Sequence, residues 1–248
     1  MPIDPAAAYL DGKRSVTALV RHATAEQLGA TVPACPLWTV SDVVRHLTGV
    51  ALDMVEGRMP LDQDGVEIFQ SAEGVARVTG FTDNHVASRR DRSLGDVLAE
   101  WDANTDRLLP ILRGEVQAPQ ADAIPFITLV PVTDIAAHLH DIRGALRQPG
   151  DRDTALTALG FASYLGSFAM RAARRQLPAL RVRYAGKERV TGEGEPAATW
   201  SGERFELFRA LAGRRSNAQI AAMEWEGDPT PYLDLISMYG PRADALVE

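Results

Sequence analysis

Hydrophobic positions recur at three- and four-residue spacing over most of residues 1–177, and the spacing falls to two after a break at Leu177-Pro178. The first regime reads as helix and the second as strand, because side chains repeat every 3.6 residues on a helix and every two on a strand. Residues 6–28 carry Tyr9, Leu10, Val16, Leu19, Val20 and Leu28 among charged neighbours, an irregular helical pattern. Pro33, Cys35 and Pro36 mark a short loop. Thr39 with Asp42 then forms a capping-box pattern, and Trp38 with Val43 is placed as a hydrophobic staple. The helix that follows carries the stripe Val43, Val44, Leu47, Val50, Ala51 and Met54. Residues 57–92 are polar and rich in glycine, and read as a long connection with one short helix around 67–78.

Ser93 with Asp96 repeats the N-cap signature and opens an amphipathic helix to about Leu112. After a second connection, 114–125, a helix starting as early as Thr128 tolerates Pro131 in its first turn and ends near Arg147, before Pro149-Gly150. Residues 154–176 form a further long helix, in which Gly160 and Gly166 suggest close helix–helix approach. Beyond 178 the pattern gives a strand at 180–184, turn chemistry at 192–196, a strand at 197–200, and a helix at 203–211 closed by Gly213. A last strand is expected at 220–225, and a final helical turn or two at 231–238. The expected fold is therefore α+β: an up-and-down helical bundle with two long crossover loops over 1–177, followed by a small α/β domain over 178–248.

Composition narrows the function more than the fold. The chain has 248 residues and a formal net charge of -7, which argues against a general nucleic-acid or anionic-membrane binder, since those need a basic footprint. Lys13 and Lys187 are the only lysines, so arginine carries nearly all the positive charge. Cys35 is the only cysteine, which excludes an internal disulfide and a cysteine-based zinc cage and fits a reducing cytoplasm. No signal peptide is apparent, and no apolar run approaches the ~18 residues of a membrane span. The expectation is a soluble cytoplasmic protein acting on a small molecule, with neither coiled-coil seam nor repeat to indicate an oligomeric state.

The densest candidate chemistry lies in Val132-Thr133-Asp134-Ile135-Ala136-Ala137-His138-Leu139-His140-Asp141-Ile142-Arg143. At 100° per residue, Asp134, His138 and Asp141 fall within about 60° of one another, whereas His140 points roughly 200° round from His138. A carboxylate and an imidazole four apart on one face form a two-point clamp for a divalent metal. A third ligand has to come from elsewhere, and His46, beside the stripe of the capped helix, is the best placed; a satisfied core histidine is the plain alternative. Asp141 either orients a ligand imidazole or binds a cofactor hydroxyl, or it pairs with Arg45 or Arg143. His22 reads as solvated or half-buried. His85 lies near Arg89, Arg90 and Arg92, a cluster that reads as solvated surface or as an anion-facing loop. Cys35 reads as a small buried or loop thiol, and His140 as structural.

Two patterns coincide: Trp-Thr-Val-x-Asp-Val-Val-x-His-Leu from Trp38, and acid-x-x-x-His-x-x-Asp-Ile from Asp134. Together they resemble the DinB-like superfamily, and within it the mycothiol-dependent maleylpyruvate isomerases. The stretch Glu206-Leu207-Phe208-Arg209-Ala210-Leu211-Ala212-Gly213-Arg214-Arg215-Ser216 and the later Ala222-Met223-Glu224-Trp225-Glu226-Gly227-Asp228-Pro229 look like the second domain of that branch. The resemblance implies a four-helix bundle holding zinc or another divalent ion, then a sterol-carrier-like α/β domain. It carries the ligand positions onto His46, Asp134 and His138. Asp134 departs from the family's glutamate and reaches roughly 1.5 Å less far.

The open metal position implied by the resemblance takes mycothiol, the low-molecular-weight thiol of actinobacteria. A coordinated thiol is deprotonated, and the thiolate is the nucleophile. In an isomerase it would add to a conjugated cis double bond, allow rotation, and leave; a transferase would keep the thioether. A dicarboxylate substrate would need an arginine, and the resemblance points to Arg214 or Arg215, although cations are also favoured there simply by the end of the preceding helix. Two other readings stand beside this one: a non-catalytic small-molecule-binding protein with a degenerate metal site, and a metal-dependent hydrolase using water in the open position.

Overall fold

The computed structural model describes residues 3–60, 68, 71–122, 124, 126–240 and 242–248. The chain divides into two compact units, residues 1–159 with Glu248 and residues 160–247. The change of periodicity at Pro178 marks where strands begin; the division in packing comes earlier, inside a long helix.

The first unit is helical. Helix α1 (Pro5–Arg21) has Asp4 as N-cap and Pro5 in its first turn. The stretch expected as one helix over 6–28 is two, because Thr24 and Gln27 form a capping box that opens a separate short helix, α2 (Ala25–Leu28). The expected loop at 33–36 is a small hairpin, with β1 (Thr31–Val32) antiparallel to β2 (Cys35–Thr39). The capping box at Thr39 and Asp42 forms as expected and starts α3 (Val40–Glu56). Gly57 closes that helix in the left-handed conformation, at φ 67°, which glycine adopts without a Cβ penalty.

Within 57–92 the helix is α4 (Ala72–Ala87), longer and later than the expected 67–78; residue 67 lies outside the described residues. Only Gly74, His85 and Val86 of α4 are buried, so little hydrophobic period was there to read. Ser93 caps α5 (Leu94–Leu112), and a 3₁₀ turn at Ile127–Leu129 leads into α6 (Val130–Leu146), with Pro131 in its first turn as expected.

Helices α1, α3, α5 and α6 pack on one another, and α4 lies against α3. Their shared core includes Val16, Val44, Leu47, Trp101, Leu108, Ile135 and Leu139, each at most 2% exposed. Burying an aliphatic or aromatic side chain of this kind contributes about 1.5–3 kcal/mol. The Trp101 indole N–H donates to the Tyr9 hydroxyl at 2.8 Å, so the largest side chain of the core leaves no polar group unsatisfied.

Helix α7 (Ala155–Arg174) begins in the first unit and continues into the second. Strands β3 (Leu180–Tyr184), β4 (Lys187–Thr191), β5 (Ala198–Ser201) and β6 (Glu224–Glu226) form one sheet in the order β4-β3-β5-β6. β3 is parallel to β5 and antiparallel to β4, and β5 is antiparallel to β6. The β3–β4 hairpin was missed in the sequence because β4 exposes four of its five residues. Helices α8 (Arg204–Leu211), α9 (Asn217–Ala221) and α10 (Thr230–Ile236) complete the unit.

The strand expected at 220–225 is a correction. Ser216 and Gln219 form a capping box, so the apolar run begins as helix α9 and only Glu224–Glu226 is strand. Gly166 is a second correction, since a Cβ there would meet nothing within 4 Å among the described residues. Inside this unit, Arg215 pairs with Glu206 at 2.8 Å, and the Arg214 guanidinium lies over the Tyr239 ring, 5.7 Å from its centroid.

Candidate metal centre

Helices α3 and α6 meet where the sequence places its candidate ligands. His46 Nε2 stands 3.0 Å from Asp134 Oδ2, and His138 Nε2 stands 3.5 Å from Asp134 Oδ1. One donor atom from each of the three residues lies within 4.8 Å of the others. Ligands of a single zinc ion at ~2.0–2.2 Å stand roughly 3.0–3.6 Å apart, so this spacing suits a shared ion. Asp134 Oδ2 is buried and has no hydrogen-bond partner among the described residues. A buried carboxylate needs compensating positive charge, and a cation shared with the two imidazoles supplies it. Two imidazole nitrogens and a carboxylate thus fit a divalent ion such as zinc, with coordination positions to spare. Asp134 is one methylene shorter than a glutamate, yet its carboxylate lies within reach of both imidazoles.

The charges of the three side chains are divided. Burial pushes His46 down to about 4 against the attraction of Asp134. Burial alone would raise Asp134, but the neighbouring His46 and His138 outweigh it and hold the carboxyl at about 2. His138 would likewise be lowered by burial, but Asp134 and then Asp141 carry it up to about 10. One imidazole is therefore neutral and the other shares its charge with a carboxylate.

The surroundings come from three further elements. The Trp38 ring of β2 packs on both candidate-ligand imidazoles, with centroids 4.8 Å from His46 and 6.0 Å from His138. Asp141 Oδ2 is 2.9 Å from His138 Nδ1, the nitrogen on the far side from Asp134. The salt bridges that were the alternative for Asp141 go elsewhere: Arg45 pairs with Asp42 at 3.0 Å, and Arg143 pairs with Asp151 at 2.5 Å. Cys35 Sγ is 3.8 Å from Asp141 Oδ2, and Cys35, His138 and Asp141 form a second cluster of potential ligands. His140 is buried and meets the Thr157 hydroxyl at 3.1 Å, in keeping with its structural reading.

Sequence reasoning missed the side of the site behind His46. His85, read with a surface cluster, is 2% exposed, and its Nδ1 lies 3.2 Å from His46 Nδ1. Its Nε2 lies 2.8 Å from Asp53 Oδ2, and Arg58 Nε and Nη2 donate to Asp53 Oδ1 at 2.8 and 2.6 Å. Arg89 is not surface either; it is 6% exposed and pairs with Glu100 at 2.5 Å. One signal was available: His46, Gly49 and Asp53 fall within about 60° on α3. Gly49 makes the approach possible, since a Cβ there would sit 2.4 Å from the His85 ring.

The structure thus brings His46, Asp134 and His138 together, with Asp141 beside them; Arg214 and Arg215 belong to the second unit. Among the described residues no helix is long and apolar enough to cross a membrane.

Comparison with known proteins bears on the fold and the family. No curated protein matches the chain in sequence. Two solved structures are similar in fold. A mycothiol-dependent maleylpyruvate isomerase in a histidine-to-alanine mutant form matches with TM-score 0.56 and 10% identity, over 86% of this chain and 90% of that one. A second structure of the mycothiol-dependent maleylpyruvate isomerase matches with TM-score 0.50 and 12% identity, over the same shares of 86% and 90%. Residues 9–143, which span α1 to α6 and every candidate ligand, match the model of the mycothiol maleylpyruvate isomerase N-terminal domain. The chain belongs to the mycothiol maleylpyruvate isomerase N-terminal domain family.

Proposed function

We propose that this chain is a divalent-metal- and mycothiol-dependent enzyme that isomerises an electrophilic small molecule or transfers the thiol to it. The observation that carries the reading is the convergence of the His46 and His138 imidazoles on the buried Asp134 carboxylate, in a chain of this family. The two Nε2 atoms and the Asp134 carboxylate would hold zinc or another divalent ion. Such an ion supplies a Lewis acid that keeps a bound thiol in its nucleophilic thiolate form. The chain needs no cysteine of its own for this chemistry, so Cys35 is no nucleophile in it.

The protein's own groups have separate tasks. Asp141, 2.9 Å from His138 Nδ1, holds that imidazole with Nε2 toward Asp134. Trp38 covers both imidazoles and keeps water from that side. Arg214 and Arg215 are offered, from the family resemblance, as the cations that meet the carboxylates of a dicarboxylate substrate.

Metal analysis of the purified protein, with zinc titration into the chelated form, tests the site. One ion bound per chain is expected, and no uptake at all would overturn the metal-dependent reading. Turnover of conjugated cis-dicarboxylates with and without mycothiol tests the chemistry, and activity indifferent to the thiol would favour a hydrolase.

A further inference from the structure

The two candidate imidazole ligands are not held in the same way. His138 has a carboxylate directly at its Nδ1, whereas His46 has a second imidazole there, and the carboxylate stands one residue further back. In the line Arg58–Asp53–His85–His46, Asp53 is 10% exposed in its side chain and His85 3%, so water competes little for these bonds. Asp53 is fixed from its other oxygen by Arg58, which leaves Oδ2 to accept from His85 Nε2. A histidine that donates from Nε2 in its neutral form presents a lone pair at Nδ1. That lone pair faces His46 Nδ1 at 3.2 Å, so His46 must donate from Nδ1 and its own lone pair is left on Nε2. Nε2 is the nitrogen that faces Asp134 Oδ2, at 3.0 Å.

From this geometry we infer that Asp53 and His85 are positioning residues that fix His46 as the Nδ1–H tautomer, so that its Nε2 lone pair and Asp134 together face a cation. The role of the cation rests on the reading of the preceding section; the tautomer assignment does not. Gly49 belongs to the same device, because the His85 ring occupies the space its side chain would take. The arrangement extends the familiar carboxylate–histidine–metal triad by one imidazole, which lets a carboxylate on α3 itself act on His46 through a residue of α4.

Two measurements on wild type, Asp53→Asn and His85→Phe test the inference. The first is the ¹⁵N spectrum of the histidine side chains in chelated protein, which distinguishes Nδ1–H from Nε2–H for His46. The second is zinc affinity by competition with a chelator. Wild type is expected to hold the proton on Nδ1, and both variants to shift it toward Nε2 and to bind zinc about 10–100-fold more weakly, as loss of such partners does elsewhere. A proton on Nε2 in wild-type His46, or unchanged tautomer and affinity in both variants, would overturn the inference. If wild type takes up no zinc but keeps the Nδ1 proton and loses it in the variants, the metal reading fails and the positioning role stands. Asp53→Asn, nearly isosteric, carries the test if His85→Phe does not fold.

Discussion

The two sides of the candidate centre do the same task at different distances along the chain. On the α6 side, His138 and its orienting Asp141 are three residues apart on one helix. On the α3 side, His46 is backed by His85, thirty-nine residues away on another helix, and then by Asp53. The first arrangement is set by helical geometry alone, because residues three apart are neighbours on any α-helix. The second exists only when α4 packs against α3. A local partner is secured when the helix forms, and a distant one only when the unit folds.

Substitution should separate the sides. The largest effect is expected from His138→Ala, which removes a proposed ligand and frees both Asp134 and Asp141 of their shared partner; zinc uptake should be lost in a metal titration. Asp141→Asn and Asp53→Asn come next, each weakening zinc by about 10–100-fold. The comparison lies in their sum. The two changes act on different imidazoles, and if the sides are independent their free energies in the double variant should add within about 0.5 kcal/mol. A clear shortfall would mean the two imidazoles are held as one network.

Acid should affect the α3 side in a predictable direction. Burial would raise Asp53, but its bonds to His85 and Arg58 outweigh that and hold its carboxyl below the ordinary range. The unfolded chain then binds the proton first, at about pH 3.9, so the stabilisation is complete above that pH and is lost as pH falls through the lower folded value. The thermal midpoint of wild type should exceed that of Asp53→Asn at pH 6, and the gap should close on acidification below pH 4. The smallest effect is expected from Arg58→Met: its side chain is 53% exposed, so the ion pair is worth at most about 1 kcal/mol, and zinc affinity should fall less than tenfold.

The same contrast explains what the sequence made legible. The capping box at Thr39, the N-cap at Ser93, the ends of α5 and α6, and the faces of Asp134, His138 and Asp141 depend on neighbours within a few residues, and all were readable. His46 was found beside an apolar stripe, with the family pattern giving it a partner. His85 was not found, because α4 buries only Gly74, His85 and Val86 and shows almost no hydrophobic period. Strand β4 was missed for the same reason, and the misreading at 220–225 came from an apolar run that suits either element until Ser216 caps it as helix.

Gly49 has a consequence for anyone seeking to make the protein hardier. A glycine in the middle of a helix normally invites replacement by alanine, a change that gains roughly 0.5–1 kcal/mol from backbone propensity alone. Here the added methyl would press on the His85 ring at 2.4 Å, and the ring cannot retreat without leaving His46 and Asp53. A design scheme that scores α3 by helix propensity would rank Gly49→Ala among its safest choices. The variant should instead melt earlier and lose zinc, because the empty position is the seat of a side chain from another helix.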